Sequence, residues 1–81
     1  MWYVYFLELN NNKIYVGSTN DLKRRLHSHQ NGEVISTKLY RPMKLKSYIG
    51  VETELQARAL EKYFKTASGR AFSKKRILQL S

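Results

Sequence analysis

The chain opens on Trp2-Tyr3-Val4-Tyr5-Phe6-Leu7-Glu8-Leu9, a run that is apolar or aromatic at almost every position. Aromatic and β-branched residues at nearly every step predict a strand covered on both faces. Asn10, Asn11 and Asn12 follow. Asparagine tolerates left-handed backbone, so Lys13 to Ser18 is expected to return antiparallel as a hairpin that ends near Gly17. By the two-residue period of a strand, Tyr3 and Tyr5 share one face, and Tyr15 and Gly17 share one face of the second strand.

The pattern then changes to a helical one. Ser18-Thr19-Asn20-Asp21 has the side chains of a helix start, and the helix is expected from about Asp21 to Gln30, closed by Asn31-Gly32. At about 100° per residue, Leu22, Leu26, Arg25 and His29 fall on one stripe, whereas Lys23, Arg24, His27 and Ser28 point elsewhere. An unpaired buried ion costs several kcal/mol. Arg25 is therefore either salt-bridged within the fold or held at the floor of a cleft. His29 either bonds the last carbonyls of its helix or takes part in a site.

Gly32 to Pro42 reads as a loop. Its Ser36, Thr37, Lys38, Tyr40 and Arg41 suit a phosphate backbone with a stacked base, or simply a polar connection. Met43 to Val51 alternates as a third, half-exposed strand, with Met43, Leu45, Ser47, Ile49 and Val51 on one face. Thr53-Glu54-Leu55-Gln56 is a capping box, so a second helix is expected from Thr53 to about Ala67, stopping at Ser68-Gly69. Leu55, Ala57, Ala59, Leu60, Tyr63, Phe64 and Ala67 give it an apolar arc of about 200°. Glu61 stands at the margin of that arc, with Lys65 four residues on. As an exposed pair these two contribute only a few tenths of a kcal/mol. Ser73 to Leu80 is expected to form a short last helix with Ile77, Leu78 and Leu80 inward and Lys74, Lys75 and Arg76 outward. The whole predicts one α+β domain over residues 1–81, a small three-stranded, mainly antiparallel sheet flanked by helices in the order β-β-α-β-α-(α).

Charge adds a partner to that picture. Fifteen Lys and Arg against six Asp and Glu give a net charge of +9, and no acid follows Glu61. Such a field favours a polyanion, nucleic acid above all, with a solvated basic surface or a ribosomal association as the plainer readings. The absence of cysteine removes disulfides and thiolate metal sites and suits a reducing cytoplasm. No apolar run approaches the roughly 20 residues of a membrane span, and no signal-peptide pattern opens the chain. A cytoplasmic or nucleoid-associated location, away from membranes, is expected. With 81 residues the stability margin should be small.

Taken together, Tyr3-Val4-Tyr5, Tyr15-Val16-Gly17, the helix motif Asp21-Leu22-Lys23-Arg24-Arg25-Leu26 with His29 one turn later, and Glu61 in the second helix resemble the GIY-YIG nuclease superfamily. The likeness covers nearly the whole chain and is nearest to short, stand-alone bacterial members. It implies metal-dependent hydrolysis of phosphodiester bonds in DNA. By position it implies Tyr5 and Tyr15 as catalytic tyrosines, Arg25 as the catalytic arginine, His29 as an assisting group and Glu61 as the ligand of one Mg2+ or Mn2+ ion. One tyrosine would be the general base and the other a phosphate donor. At the reference pKa near 10, tyrosine is only about 0.1% ionised at pH 7, a deficit of about 4 kcal/mol that nearby cations must offset.

Lys23, Arg24, Lys38, Arg41, Lys65, Arg70, Lys74 and Lys75 are the expected nucleic-acid contacts. DNA repair or recombination is the expected setting, with single-stranded, duplex and branched DNA all open as substrates and a protein partner as one source of specificity. Two positions and one stretch depart from the family pattern. Tyr3 replaces the glycine of the first triplet, Ser18 stands where some relatives carry lysine, and Ser68-Gly69-Arg70-Ala71-Phe72 holds no asparagine. A module of this fold that binds nucleic acid without cleaving, or cleaves only with a partner, is the alternative. A purely structural role for Arg25 and Glu61 is a third reading.

Overall fold

The computed structural model describes residues 1–78. It shows an α+β fold: a three-stranded, wholly antiparallel sheet in the order β2-β1-β3, with helices on both faces. Strand β1 (Trp2–Glu8) is central, β2 (Ile14–Thr19) and β3 (Lys44–Val51) are the edges, and the helices are α1 (Leu22–Gln30), α2 (Glu54–Phe64) and α3 (Ala67–Phe72). A short 3-10 turn spans Lys38–Tyr40, and α3 runs on into a π-type turn over Ser73–Ile77. Among the described residues no helix is long and apolar enough to cross a membrane.

Strand β1 is buried on both sides, as its unbroken apolar run predicts. Val4 and Phe6 join Val16, Ala57, Phe64 and Leu78 in a core under α2. Tyr5, Leu7 and Leu9 join Met43 in a second core that Leu22 and Leu26 of α1 cover. The hairpin closes with the Leu9 amide donating to the Lys13 carbonyl at 2.9 Å and with Asn12 at φ 68°. Such left-handed backbone is what asparagine tolerates at a turn. Asp21 caps α1, accepting from the Arg24 amide at 3.1 Å, and Thr53 with Gln56 forms the expected capping box of α2.

Three expectations change. The alternating face expected for β3 is split by a register shift, because Phe6 pairs with Ser47 but Leu7 with Leu45. The extra residue turns Met43 and Leu45 to the α1 side, while Ile49 and Val51 pack under α2. The apolar arc of α2 is also narrower than its composition suggests: Leu55 is 79% exposed, and Ala59 and Ala67 also face solvent. Of that arc, only Ala57, Leu60 and Phe64 join the apolar core against the sheet. Finally, α2 ends at Phe64, and Thr66 caps a separate α3, accepting from the Gly69 amide. Ser68 and Gly69 thus lie inside a helix instead of stopping one. Ile77 and Leu78 pack inward and Lys74, Lys75 and Arg76 outward, as expected, while Leu80 lies outside the described residues.

Candidate active site

Pairing register decides which side chains meet. Tyr5 lies opposite Gly17 and Val4 opposite Ser18. Tyr15 and Gly17 therefore share the Tyr5 face of the sheet, and Val16 and Ser18 share the Val4 face. Because β2 is an edge strand, groups from both faces meet along one rim. On one side stand Tyr5, Tyr15, Arg25 and His29, and on the other stand Ser18 and Glu61.

Gly17 is required by this arrangement. The Tyr5 ring crosses over β2 there, and a Cβ on residue 17 would lie 2.5 Å from the Tyr5 hydroxyl oxygen. The Tyr5 side chain is fully buried, and its ring packs against Tyr15 with centroids 6.3 Å apart and edge-on to His29 at 5.6 Å. Tyr15 packs edge-on to His29 at 5.1 Å and is only half-buried.

Arg25 makes no salt bridge among the described residues. Its Nε donates to the Tyr5 hydroxyl at 3.2 Å, which answers the question its inward position raised: a tyrosine holds it, not a carboxylate. That bond, first of all, raises the guanidinium pKa further. Burial pushes the Tyr5 phenol up from its ordinary value, against the lowering effect of Arg25. His29 is wholly buried and does not bond the carbonyls of its own helix end. It lies 2.8 Å from the Tyr5 hydroxyl through Nε2 and 2.8 Å from the Thr37 hydroxyl through Nδ1. Burial, seconded by the Arg25 charge, pulls its pKa down to about 4, so the imidazole is neutral at neutral pH.

Across the rim, Glu61 accepts from Ser18 Oγ at 2.6 Å on Oε1 and from Lys65 Nζ at 2.7 Å on Oε2. Burial raises its pKa, but the Lys65 and Ser18 hydrogen bonds outweigh that and hold the carboxyl below its ordinary value. The expected Glu61–Lys65 pair therefore exists, and it sits within an open basin of about 420 Å3 lined by Ser18, Arg58, Glu61, Lys62 and Lys65. No group of three or more His, Cys, Asp or Glu able to hold a metal occurs among the described residues. The donor set thus fits no multi-carboxylate cage. It does fit a hard ion of the Mg2+ type, which keeps most of its waters and takes one carboxylate together with substrate phosphate oxygens.

The expected nucleic-acid contacts lie on several elements. Lys23 and Arg24 are exposed on the outer side of α1, beside a shallow depression of about 460 Å3. Lys38 is exposed in the 3-10 turn, and Arg70, Lys74 and Lys75 are exposed on α3 and the turn after it. Arg41 is exposed too, but its side chain is tied to neighbouring backbone, with Nε donating to the Lys38 carbonyl at 3.0 Å and Nη1 to that of Gln30 at 3.5 Å. Lys65 is the one of these residues that reaches the carboxylate. Thr37 appeared in the sequence only as one hydroxyl in a polar loop. No local period links it to His29, eight residues earlier.

Fold and rim together define a small nuclease-type domain, in which tyrosines and a guanidinium face a lone carboxylate across an edge strand. The chain belongs to the GIY-YIG family, for the model of the GIY-YIG catalytic domain matches residues 1–76. That family is one of endonucleases, generally dependent on divalent metal and acting on nucleic acid. Among curated relatives, the chain is 36% identical to a UPF0213 protein of Limosilactobacillus reuteri over 67 residues, 79% of this chain and 70% of that protein. It is 38% identical to one from Bacillus velezensis over 64 residues, covering 78% of this chain and 65% of that protein. A shorter match, 44% over 32 residues, links it to UPF0213 protein YhbQ of Escherichia coli O8, covering 40% of this chain and 32% of that protein. The chain thus spans about two thirds of the longer-matching relatives. No solved structure matches.

Proposed function

We propose that this chain is a DNA endonuclease that uses one divalent ion and divides its two tyrosines between structure and chemistry. The observation that carries this reading is Arg25. It is a guanidinium on the inward stripe of a helix, bound to a phenol and to no carboxylate among the described residues. A fork held this way suits two phosphoryl oxygens of a phosphodiester and neutralises charge where it develops. Tyr5 is buried and its phenol is biased toward the protonated form, so its work is to fix Arg25. Tyr15, half-buried beside it, meets the substrate and is the general base for the attacking water. Glu61 would hold the ion. When bound, a divalent ion supplies positive charge at the phosphoryl and leaving oxygens.

The reading is tested with purified protein, Mg2+ or Mn2+, and single-stranded, duplex and branched DNA, alongside Glu61→Ala, Arg25→Ala and Tyr15→Phe. Cleavage by the wild type that disappears in Glu61→Ala and Arg25→Ala is the expected result. Residual nicking that is identical in wild type and Glu61→Ala would assign the activity to a contaminant. The second reading, a module that binds without cleaving, draws on the occupancy of both Glu61 oxygens by Ser18 and Lys65. It predicts salt-sensitive DNA binding with no product under any of these conditions. DNA as the polymer, its strand state and a partner that supplies specificity belong to this proposal.

A further inference from the structure

The buried hydrogen-bond chain behind Tyr5 runs through His29 to Thr37, and neither has a part in the chemistry above. Its side chain is fully buried, in the segment between α1 and the 3-10 turn, with Oγ1 2.8 Å from His29 Nδ1 and 3.5 Å from the Val34 carbonyl. His29 Nε2 is 2.8 Å from the Tyr5 hydroxyl, which also accepts from Arg25 Nε. A neutral imidazole carries a single N–H, so one of its nitrogens donates and the other accepts.

The two tautomers can be told apart by proton counting. With the proton on Nδ1, Arg25 Nε–H donates to Tyr5, Tyr5 O–H to Nε2, Nδ1–H to Thr37, and Thr37 O–H to the Val34 carbonyl. Every proton then has an acceptor. With the proton on Nε2, the Tyr5 oxygen accepts from both His29 and Arg25, and its own O–H, sealed from water, has no acceptor among the described residues. Among the described residues every buried side-chain polar atom has a partner, and a buried donor without one is disfavoured.

We infer that Thr37 is a positioning residue that fixes His29 in the Nδ1–H tautomer, and that it thereby directs the Tyr5 proton to His29 and the Tyr5 lone pairs to Arg25. The residue that sets the orientation of the arginine fork thus lies three bonded steps behind it, in the basic loop and next to Lys38, an expected phosphate contact. Threonine supplies what the position needs: an acceptor for Nδ1–H that can pass its own proton to a carbonyl. Serine could do the same, and valine, of nearly equal shape, could not. The link from this tautomer to catalysis rests on the nuclease reading, whereas the tautomer itself does not.

Nitrogen-15 NMR of the imidazoles in the folded protein decides the matter. The chain has two histidines, and His27→Gln identifies the His29 signals. The expected wild-type spectrum shows a protonated Nδ1 and an acceptor-type Nε2. Thr37→Val should convert this to a mixture or to the Nε2–H form, and Thr37→Ser should restore it. In DNA cleavage, Thr37→Val should lower kcat about tenfold with KM nearly unchanged, and Thr37→Ser should recover it. A wild type in the Nε2–H form, or a Thr37→Val protein with an unchanged tautomer, would overturn the inference. Should Thr37→Val fail to fold, the wild-type and Thr37→Ser spectra still decide it. A tautomer that responds as expected in a protein that cleaves nothing leaves the positioning role standing and removes the nuclease reading instead.

Discussion

Tyr5 and Tyr15 are the same side chain on paired strands, yet their surroundings give them different work. The Tyr5 oxygen is enclosed and serves Arg25 and His29 together, so Tyr5→Phe strands the buried His29 and the half-buried Arg25 and should cost about 1–3 kcal/mol in urea unfolding. Tyr15→Phe should change stability by less than about 0.5 kcal/mol while lowering single-turnover cleavage about 10²–10⁴-fold, the usual range for a general base. Equal stability losses in the two variants would contradict this division. His29 gives a pH signature. Its folded pKa, about 4, lies below the reference 6.5, so between those values the unfolded chain binds the extra proton. Stability should therefore be full above about pH 6.5 and fall by about 3 kcal/mol as the pH drops toward 4. Glu61, whose folded pKa is also lowered, acts in the same direction, its contribution present above its unfolded value and lost in acid. Urea midpoints at pH 7, 5.5 and 4.5 measure the slope, and His29→Gln should flatten it.

At the scale of elements, two glycines hold the parts together by close approach. Gly17 lets the Tyr5 ring cross the edge strand, and Gly17→Ala should cost about 1–3 kcal/mol by overpacking and displace the Arg25 partner with it. Gly69 sits in α3 where an added Cβ would collide with the Tyr63 carbonyl. That obstacle is backbone, which yields less readily than a ring, so Gly69→Ala should destabilise more than Gly17→Ala in thermal unfolding. The reverse order would mean that the α2–α3 elbow is looser than its contacts indicate. This glycine explains why the expected helix stop at Ser68-Gly69 misplaced the boundary: the residue marks a tight packing contact between two helices instead of a helix end.

Across the whole molecule, the +9 charge belongs to side chains with different freedom. Arg41 and Lys65, though also exposed, are engaged by the Lys38 and Gln30 carbonyls and by Glu61. Lys23, Arg24, Lys38, Arg70, Lys74 and Lys75 are exposed. If these six supply the phosphate contacts, log affinity for duplex DNA should fall with log salt at a slope of about −5, measured by fluorescence anisotropy. A slope shallower than about −2 would remove the basic surface from the binding account. Arg41→Ala should act more on stability than on that slope, because its guanidinium braces the loop.

The sequence by itself determined the properties that depend on neighbours along the chain. These are a first strand apolar enough for two-sided burial, an asparagine turn, capped helices, an excess of positive charge, and the motif spacing that marks the family. The tertiary structure decided what depends on neighbours in space. Only pairing could show that a bulge near Leu45 splits the β3 face, or that Leu55 of α2 meets water while Ala57 meets the sheet. Only packing could separate buried Tyr5 from half-buried Tyr15 and bring Thr37 to His29. Periodicity records which residues share a face. Burial, tautomer and pKa depend on what covers that face, and this is set by contacts between residues far apart in the chain.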